Sequence, residues 1–260
     1  MPDQPLLCPL CEASSTGAVS VKLRIHGCAA CGLRFRHPQP SDAELQRIYD
    51  AAYADERVAE GSEDMAGTTD DIARQYVAQL LRFEPVVGRR VVDFGAGLGS
   101  MSRALAAAGA EVFAVDAFSA DHLAQQGLRA FRSPEELAGL APFDGCVAME
   151  VIEHLRHPWA LLEQLRALTK PGGFLFVTTP NAEGLKPRLA LDGWSEALDE
   201  AHLFLFSPRS LETALRRSGN QKLQRLRTAV RYSQNPLVNA ARAGLQVSGL
   251  DGQLRYLAWS

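Results

Sequence analysis

The 260-residue sequence is poor in several features that mark special classes of protein. Five cysteines are too few for a disulfide-dense miniprotein, and a hydrophobic content of 47% excludes a disordered chain. No apolar run approaches the ~18 residues that span a bilayer. The N-terminal residues also lack the basic and apolar regions of a signal peptide. We therefore expect a globular, cytoplasmic protein without a membrane span.

An excess of charge of one sign is also nearly absent, because the formal net charge at pH 7 is −3. This small total conceals an acidic stretch over residues 41–81 and a basic stretch over residues 203–260. A basic stretch can meet phosphates, and an RNA partner is therefore one interpretation. Solvated faces of a helix and a strand are the more ordinary location for its basic side chains, which include Arg216, Arg217, Lys222, Arg225 and Arg227.

Four of the five cysteines form two Cys-x-x-Cys pairs near the N-terminus, namely Cys8, Cys11, Cys28 and Cys31. Two pairs at this separation are typical of a tetrahedral zinc site with four thiolate ligands and no open position for catalysis. Two disulfides, which a reducing cytoplasm disfavours, or redox chemistry at one pair are the alternatives. The pattern predicts a structural zinc ribbon. Cys146, in an apolar strand pattern, is predicted to be a core residue.

The rest of the chain divides into a helical connector and a large domain. Ser41-Asp-Ala-Glu44 fits a capping box that opens a helix through about Tyr53. Residues 54–68 are small, polar and acidic, which indicates a mobile loop, and a second helix stops at Pro85. We predict three parts, which are a zinc ribbon at 1–40, a connector or cap at 41–85 and the large domain at 86–260.

From residue 90 onward, apolar strand patterns alternate with helical patterns. Strands are predicted at 91–94, 111–116, 128–132, 143–149, 174–179, 223–231 and 253–259. Helices are predicted at 102–108, 158–169 and 208–218. Such alternation indicates parallel strands joined by helices. The prediction is an α/β fold with a Rossmann-like, mostly parallel seven-stranded sheet and helices on both faces, preceded by the small zinc ribbon.

A glycine-rich loop follows the first of these strands, in the layout of a nucleotide-binding loop. Its candidate ligand-binding residues are Gly95, Ala96, Gly97 and Gly99. Ser100 stands where a dinucleotide-binding loop has its third glycine, and the carboxylate of Asp93 would repel a pyrophosphate but suit an amino group. Asp116, at the end of the next strand, is placed to bind a ribose, although turn or capping roles are the alternative for both aspartates. A ligand with a ribose, an amino-acid end and no phosphate is S-adenosylmethionine.

Four motifs in order carry a resemblance to a known family. They are Val91-Val-Asp-Phe-Gly-Ala-Gly-Leu-Gly, Phe143-Asp-Gly-Cys-Val-Ala-Met-Glu-Val-Ile-Glu-His-Leu, Leu168-Thr-Lys-Pro-Gly-Gly-Phe-Leu-Phe-Val-Thr-Thr-Pro-Asn and His202-Leu-Phe-Leu-Phe-Ser-Pro. Over residues 70–220 the chain resembles class I S-adenosylmethionine-dependent methyltransferases, and it is most similar to the ubiquinone-biosynthesis O-methyltransferase type. The cysteine pairs resemble ribbon-bearing bacterial members, which often act on sugars or secondary metabolites.

The resemblance implies which residues contact each part of the cofactor. The glycine loop would hold the methionine part. The ribose, the adenine and the sulfonium would be met, in that order, by Asp116 and Ala117, by Arg132 and Ser133, and by Met149 and Glu150.

Methyl transfer is an in-line displacement, so a hydroxyl acceptor must be aligned and must lose its proton. His154 follows the fourth strand, at the sheet edge where ligands bind, and its unperturbed pKa of roughly 6.5 makes it the first candidate for the base. The resemblance implies an alternative, in which a divalent ion such as Mg²⁺ or Mn²⁺ polarises the acceptor oxygen. Its ligands would be Glu150, Glu153, His154 and His202. A third interpretation gives Glu153 and His154 a helix-capping role, with His202 supporting the turn.

The sequence therefore predicts a methyltransferase that acts on a hydroxyl of a small molecule, such as a sugar or a natural-product or cell-envelope intermediate. An RNA methyltransferase and a ribbon-based interaction module with a degenerate methyltransferase fold are the alternatives. Trp194 is expected to pack or to stack on the acceptor, and Trp159 to lie in the core. Tyr49 and Tyr53 are expected to close over the pocket. The sequence gives no indication of oligomeric state.

Overall fold

The structure is a computed structural model that describes residues 6–60, 63–231, 233 and 235–260, with side chains throughout except in 52–60 and 63–68. Its strands are β1 (Thr16–Ser20), β2 (Ile25–Cys28), β3 (Arg34–Arg36), β4 (Arg90–Phe94), β5 (Glu111–Val115), β6 (Ala130–Phe131), β7 (Phe143–Met149), β8 (Thr169–Pro180), β9 (Phe204–Leu205), β10 (Lys222–Arg225) and β11 (Gln253–Trp259). Its helices are α1 (Asp42–Glu60), α2 (Glu63–Leu80), α3 (Ser100–Ala107), α4 (Ala120–Gln125), α5 (Pro158–Leu168), α6 (Leu185–Leu189), α7 (Ser195–Leu198), α8 (Pro208–Arg217) and α9 (Pro236–Ser248).

The main sheet has seven strands in the order β10-β11-β8-β7-β4-β5-β6. The strands β4 to β8 run parallel to one another, β11 is antiparallel to β8, and the edge strand β10 is antiparallel to β11 and so has the direction of the other five. Both faces are covered by helices, which is why these strands are almost continuously apolar. The predicted Rossmann-like, mostly parallel seven-stranded sheet is confirmed.

Two apolar clusters fill the space between the sheet and its helices. On one face, Tyr76 and Leu80 of α2 pack with Leu105 of α3 against the sheet. On the other face, Leu162 of α5 and Leu211 of α8 are fully buried. The carboxyl ends of the parallel strands are left for the loops that carry the motif residues, as open α/β sheets require.

A second sheet joins the N-terminal residues to the large domain. Its order is β1-β2-β3-β9, so three strands of the predicted ribbon are completed by a strand that lies just after His202 in the chain. Arg34 pairs with Leu205 and Phe35 with Phe204. The cysteine side chains belong to the same apolar cluster as the residues of α5 and α8. The ribbon therefore shares both a sheet and a core with the rest of the chain.

The predicted mobile loop at 54–68 is wrong over the described residues. Helix α1 continues from Asp42 to Glu60, and α2 begins at Glu63. The physical reason is that Ala and Glu, which recur in 54–68, are strong helix formers, and a polar composition alone does not exclude a solvated helix. The capping box is present, because Glu44 accepts hydrogen bonds from the backbone N–H (2.7 Å) and hydroxyl (2.6 Å) of Ser41.

Three further segments differ from the prediction. The strand predicted at 223–231 covers only Lys222–Arg225, because the backbone beyond it bonds to side chains instead of to β11, with Thr228 O accepting from Gln79 and both backbone groups of Val230 bonded to Gln246. Helix α9 was not predicted, although Pro236 follows Asn235, whose side chain accepts the N–H of Leu237 as an N-cap. The irregular stretch after residue 181 contains the short helices α6 and α7. Among the helices of the described residues, none is long and apolar enough to span a membrane.

Candidate active site and four-cysteine centre

The glycine loop lies at the carboxyl end of β4 and leads directly into α3. Gly95, Gly97 and Gly99 have φ angles of 70°, 52° and 90°, in the left-handed region that favours glycine. A Cβ on Gly95 would lie 2.3 Å from a methyl group of Val151, so the loop passes against the segment that follows β7. The backbone N–H groups of Gly95 and Ala96 both donate to Val115 O of β5. The loop is therefore fixed to the strand before Asp116.

Two buried aspartates lie on either side of this loop. Asp93 accepts a hydrogen bond of 2.6 Å from the Ser102 hydroxyl of α3, and burial raises its pKa to about 6. Asp116 accepts the backbone N–H of Gly97 on one oxygen, at 3.0 Å, and those of Phe118 and Ser119 on the other, each at 2.9 Å. The charge of Asp116 thus holds both the glycine loop and the turn after β5.

The other residues predicted to bind the cofactor lie around this loop at different depths. Ala117 is exposed beside Asp116, and Arg132 is exposed and forms an ion pair with Asp121 (2.7 Å). Ser133 precedes the 3₁₀ turn Pro134–Leu137. These positions line the ends of β5 and β6, where the prediction put the ribose and adenine. Their roles remain predictions.

Glu150 is the first residue after β7, and it is held in an unusual conformation. Its φ is 54°, one of three positive φ angles among the described non-glycine residues. Its two carboxylate oxygens accept hydrogen bonds from the Thr178 hydroxyl (2.7 Å) and the Gln253 amide (3.0 Å). Burial raises its pKa to about 7. Met149 precedes it, half-buried at the end of β7.

Glu153, His154 and His202 converge next to Glu150. Their ligand atoms all lie within 4.8 Å of one another, and the two imidazole rings are 4.5 Å apart. Glu153 and His154 lie on the 3₁₀ turn Ile152–His154, and His202 comes from the segment before β9. Glu150 is outside this group of close ligand atoms. The structure therefore brings together three of the four residues that the alternative cation site required.

Two buried polar atoms of the group formed by Glu153, His154 and His202 make no hydrogen bond to the described residues. Glu153 accepts the Thr179 hydroxyl at 2.9 Å on one oxygen, but its other oxygen and Nδ1 of His154 have no hydrogen-bond partner among the described residues. Burial and the charge of Glu150 raise the pKa of Glu153, and burial lowers the pKa of His154 to about 4. Unpaired buried polar atoms are costly, so the cluster has unused capacity to bind a ligand.

Of the aromatic residues singled out in the sequence, Tyr49 lies beside the cluster. The ring of Tyr49, on α1, lies 5.5 Å from Phe118 and 6.3 Å from His154. Trp194 is only 3% exposed and packs inside a small core, so packing and not stacking on an acceptor describes it in this structure. Trp159 is half-buried with its ring 5.7 Å from that of Phe204. The side chain of Tyr53 lies outside the described residues.

The four N-terminal cysteines form one compact group. Sγ of Cys8 lies 3.6 Å from Sγ of Cys31, the same separation holds for Cys11 and Cys28, and all four sulfurs are within 4.8 Å of one another. A tetrahedral zinc ion with Zn–S bonds of about 2.3 Å separates its sulfurs by about 3.8 Å. The geometry therefore fits such an ion. All four thiols are free of disulfides, and the side-chain hydrogen bond from Cys31 lowers the pKa of Cys8 to about 5.

Sequence reasoning missed the residues that support Glu150, Glu153 and His202. Thr178 of β8 and Gln253 of β11 donate to Glu150, and Thr179 of β8 donates to Glu153. Two polar residues at the end of an apolar strand were a usable signal for the threonines. Arg36, which binds the backbone at His202, lacked any local signal because its partner lies 166 positions away in the chain. Cys146 is buried in the core as predicted.

The seven-stranded sheet, in which β11 runs against the other six strands, together with the glycine loop after β4, has the fold of the S-adenosylmethionine-dependent methyltransferases. Solved structures with this fold include such an enzyme from Archaeoglobus fulgidus, with a TM-score of 0.52 and 20% identity over 72% of this chain and 94% of that chain. Another, from Thermotoga maritima, has a TM-score of 0.57 and 16% identity over 78% of this chain and 96% of that one. At these identities the likeness concerns the fold alone.

The chain belongs to the methyltransferase domain family, whose profile matches residues 67–224. It is 33% identical to the ubiquinone biosynthesis O-methyltransferase of Maricaulis maris over 62% of this chain and 68% of that protein. It is 40% identical to the enzyme of the same name from Caulobacter vibrioides, over 37% of this chain and 43% of that protein. The chain thus spans less than half of the second relative. The predicted class, a methyltransferase dependent on S-adenosylmethionine, is confirmed, and the four cysteines lie outside the matched residues.

Proposed function

We propose that this protein transfers the methyl group of S-adenosylmethionine to a hydroxyl of a small molecule. The main support for this proposal is that Glu153, His154 and His202 converge at the carboxyl end of β7, beside the glycine loop. Proton acceptors or a bound cation at this position would act on an oxygen nucleophile in line with the sulfonium. The names of the relatives, O-methyltransferases of ubiquinone biosynthesis, support an oxygen acceptor.

The proposed cofactor site follows the predicted order of residues. The glycine loop and Asp93 would hold the methionine part, and Asp116 would bind the ribose. Asp116 already accepts three backbone N–H groups, so the ribose hydroxyls would share its remaining lone pairs. Adenine near Arg132 and Ser133 and the sulfonium near Met149 and Glu150 complete the proposal.

The geometry favours the cation interpretation of the acceptor site over the simple base. A His154 with a pKa near 4 is unprotonated at neutral pH but is a weak base. A neutral imidazole is a good metal ligand, and the unpartnered atoms of Glu153 and His154 are the ones that a cation would use. Two imidazoles and one carboxylate suit a transition-metal ion such as Mn²⁺ better than Mg²⁺. Such an ion, when bound, would lower the pKa of the acceptor hydroxyl.

Transfer of a labelled methyl group to catechols, sugars and RNA tests the proposal. We expect labelling of a small hydroxylated acceptor, which EDTA abolishes and Mn²⁺ restores, and loss of labelling in His154→Ala. His157→Ala, an exposed histidine on the same segment, is the matched control. Activity that survives EDTA but not His154→Ala would return His154 to the role of base. Activity that survives His154→Ala would contradict both roles.

The four cysteines support a second part of the proposal, a structural zinc ion. Their closed tetrahedral set has no position for substrate, so the ion would stabilise the ribbon and leave the chemistry to the cluster. Metal analysis of the purified protein should find one zinc per chain that remains after EDTA has removed the cation of the acceptor site. An RNA acceptor is the remaining alternative, and RNA binding that weakens steeply with salt would support it.

A further inference from the structure

The ribbon contributes one buried charge whose role the proposed function leaves open. Arg36 is the last residue of β3 and is only 4% exposed. Its guanidinium donates to four backbone carbonyls. Nε donates to His202 O at 3.0 Å, Nη1 to Leu23 O at 2.9 Å, and Nη2 to Ala197 O and Asp199 O at 2.7 Å each.

Three of these carbonyls belong to the short segment 197–202, which ends at His202. The N–H donors of a guanidinium have a fixed planar geometry, so a segment that binds them at three points has little freedom to change its path. The His202 ring is held separately, with Nδ1 2.9 Å from Glu196 O. Arg36 therefore sets the backbone from which the His202 ring projects toward His154.

A second path runs through the backbone from β3 to Glu153. The N–H of Arg36 donates to Leu203 O at 2.9 Å, and the N–H of Leu203 donates to Glu153 O at 2.9 Å. The same strand continues this pairing into β9. Hydrogen bonds thus connect both Glu153 and His202, the two residues grouped with His154, to the ribbon.

Close packing prevents the ribbon from moving independently of this segment. Trp194 lies in one apolar cluster with Ile25 of β2 and Leu205 of β9. On the side of the cysteines, a Cβ on Gly32 would lie 2.6 Å from the Ser207 hydroxyl at the start of α8. A displacement of β3 would therefore displace the segment that carries His202.

We infer that Arg36 is a positioning residue that holds His202 directly, and Glu153 through Leu203, in the geometry that the acceptor site requires. The ribbon is then one wall of the active site. The effect on catalysis rests on the proposed function. The connection between Arg36 and the segment that carries His202 rests only on the hydrogen bonds described above.

Two matched substitutions test the inference, namely Arg36→Lys and Arg24→Lys. Both keep the charge, but a lysine at 36 has one compact ammonium that cannot reach the carbonyls at the different edges of the guanidinium. Arg24 lies in the same ribbon, is exposed, and only approaches Glu200 at 3.8 Å. Because small displacements of reacting groups cost about 100-fold in rate, we expect kcat/KM for the acceptor to fall about 100-fold in Arg36→Lys. Arg24→Lys should match the unmodified protein, and the Kd for S-adenosylmethionine should be unchanged in both.

A double-mutant cycle separates positioning from general destabilisation. If Arg36 acts through His202, the variant with both Arg36→Lys and His202→Ala should be no slower than His202→Ala alone. Additive losses, an equal loss of cofactor affinity, or unchanged catalysis in Arg36→Lys would overturn the inference. Should Arg36→Lys fail to fold, Arg36→Met removes the buried charge and serves in the same cycle.

Hydrogen exchange tests the coupling without any acceptor. Backbone amides of 197–205 should exchange faster in Arg36→Lys, while those of 143–149 in β7 should not change. Unchanged exchange at 197–205 would contradict the positioning role. If the unmodified protein methylates no acceptor, the proposed function fails, and this experiment still decides whether Arg36 holds the segment.

Discussion

The cofactor side and the acceptor side of the proposed active site are built in opposite ways. The residues proposed to hold the methionine part and the ribose come from one continuous stretch, 93–116, and use glycine conformations and backbone N–H groups. The acceptor side joins Glu153 to His202 and to Arg36, which lies 166 positions before His202 in the chain. A motif can encode the first side by itself. The second side exists only once the ribbon has packed against the segment before β9.

The two sides also differ in how completely their buried charges are satisfied. Both oxygens of Asp116 accept backbone N–H groups, so its geometry is fixed before any ligand binds. On the acceptor side, one oxygen of Glu153 and Nδ1 of His154 have no hydrogen-bond partner within the described residues. We therefore expect substitutions on the cofactor side to reduce stability and binding by straining the backbone locally. Substitutions on the acceptor side should act by removing contacts between segments that are distant in the chain.

The largest effect should come from the cysteines of the proposed zinc centre, because the ribbon that they would stabilise supports the acceptor side. Structural zinc sites contribute about 10–16 kcal/mol of binding free energy in small peptides. We expect Cys31→Ser to lose zinc and to lower the free energy of unfolding, measured in urea, by more than about 3 kcal/mol. Cys146→Ser makes the same substitution at a buried cysteine outside the centre. A Cys31→Ser protein with full zinc content and stability would contradict the proposed centre.

A smaller but local effect is expected at Gly95, where the two sides touch. Its φ is 70°, and an added Cβ would lie 2.3 Å from Val151, whereas Gly88 has a φ of 67° and no atom within 4 Å of the added Cβ. Gly88→Ala therefore measures the conformational cost alone, about 1–2 kcal/mol. We expect Gly95→Ala to exceed this cost in urea unfolding and to weaken binding of S-adenosylmethionine, measured by calorimetry. Equal stability and unchanged binding in the two variants would show that the contact with Val151 is unimportant.

The cofactor side and the main sheet were predictable because their signals are local. The strands at 143–149 and 253–259 have the predicted bounds, since each is a run of apolar residues between turn signals. The loop prediction for 54–68 is wrong over its described residues because acidic composition does not distinguish a solvated helix from a loop. Helix α9 was missed, although its Asn-Pro start was readable in the sequence.

The acceptor side was only partly predictable. The proximity of His154 to Glu153 follows from their adjacency in the chain, and the place of His202 was available only through the resemblance. The role of Arg36 depends on the pairing of β3 with β9, which is a long-range contact that neither composition nor periodicity encodes. The addition of a strand from the large domain to the ribbon sheet was likewise beyond local sequence signals.

On the cofactor side, the buried charge of Asp93 should cost stability. Its pKa is raised to about 6 by burial, so the folded state binds the proton more tightly than the unfolded state, in which the pKa is near 3.8. The contribution of Asp93 to the free energy of unfolding is therefore most favourable below about pH 4 and falls as the pH rises to about 6, above which the cost of its buried charge stays constant. Asp93→Asn should flatten this dependence and raise the free energy of unfolding at pH 7 by about 1–3 kcal/mol. Asp93→Asn should also weaken binding of S-adenosylmethionine, because the amino group of the cofactor would lose the carboxylate proposed to bind it.

The control for this experiment is Asp121→Asn, since the side chain of Asp121 is 78% exposed. Its replacement should change the free energy of unfolding by less than about 1 kcal/mol and leave the dependence between pH 4 and pH 6 intact. A pH profile of Asp93→Asn that matches that of the unmodified protein would show that Asp93 does not titrate in this range.

The smallest effect is expected at Arg132, where the cofactor side reaches the surface. Its side chain is 56% exposed and pairs with Asp121 at 2.7 Å, so Arg132→Ala should change stability by less than about 1 kcal/mol. Arg129→Ala removes a similarly exposed arginine, 51% exposed, from its pair with Glu111 near the same strand. If adenine binds beside Arg132, only Arg132→Ala should weaken S-adenosylmethionine, by about threefold or 0.7 kcal/mol in calorimetry. Equal affinities would place the adenine elsewhere and end the cofactor side at Asp116, which would make the locally encoded half of the site shorter still.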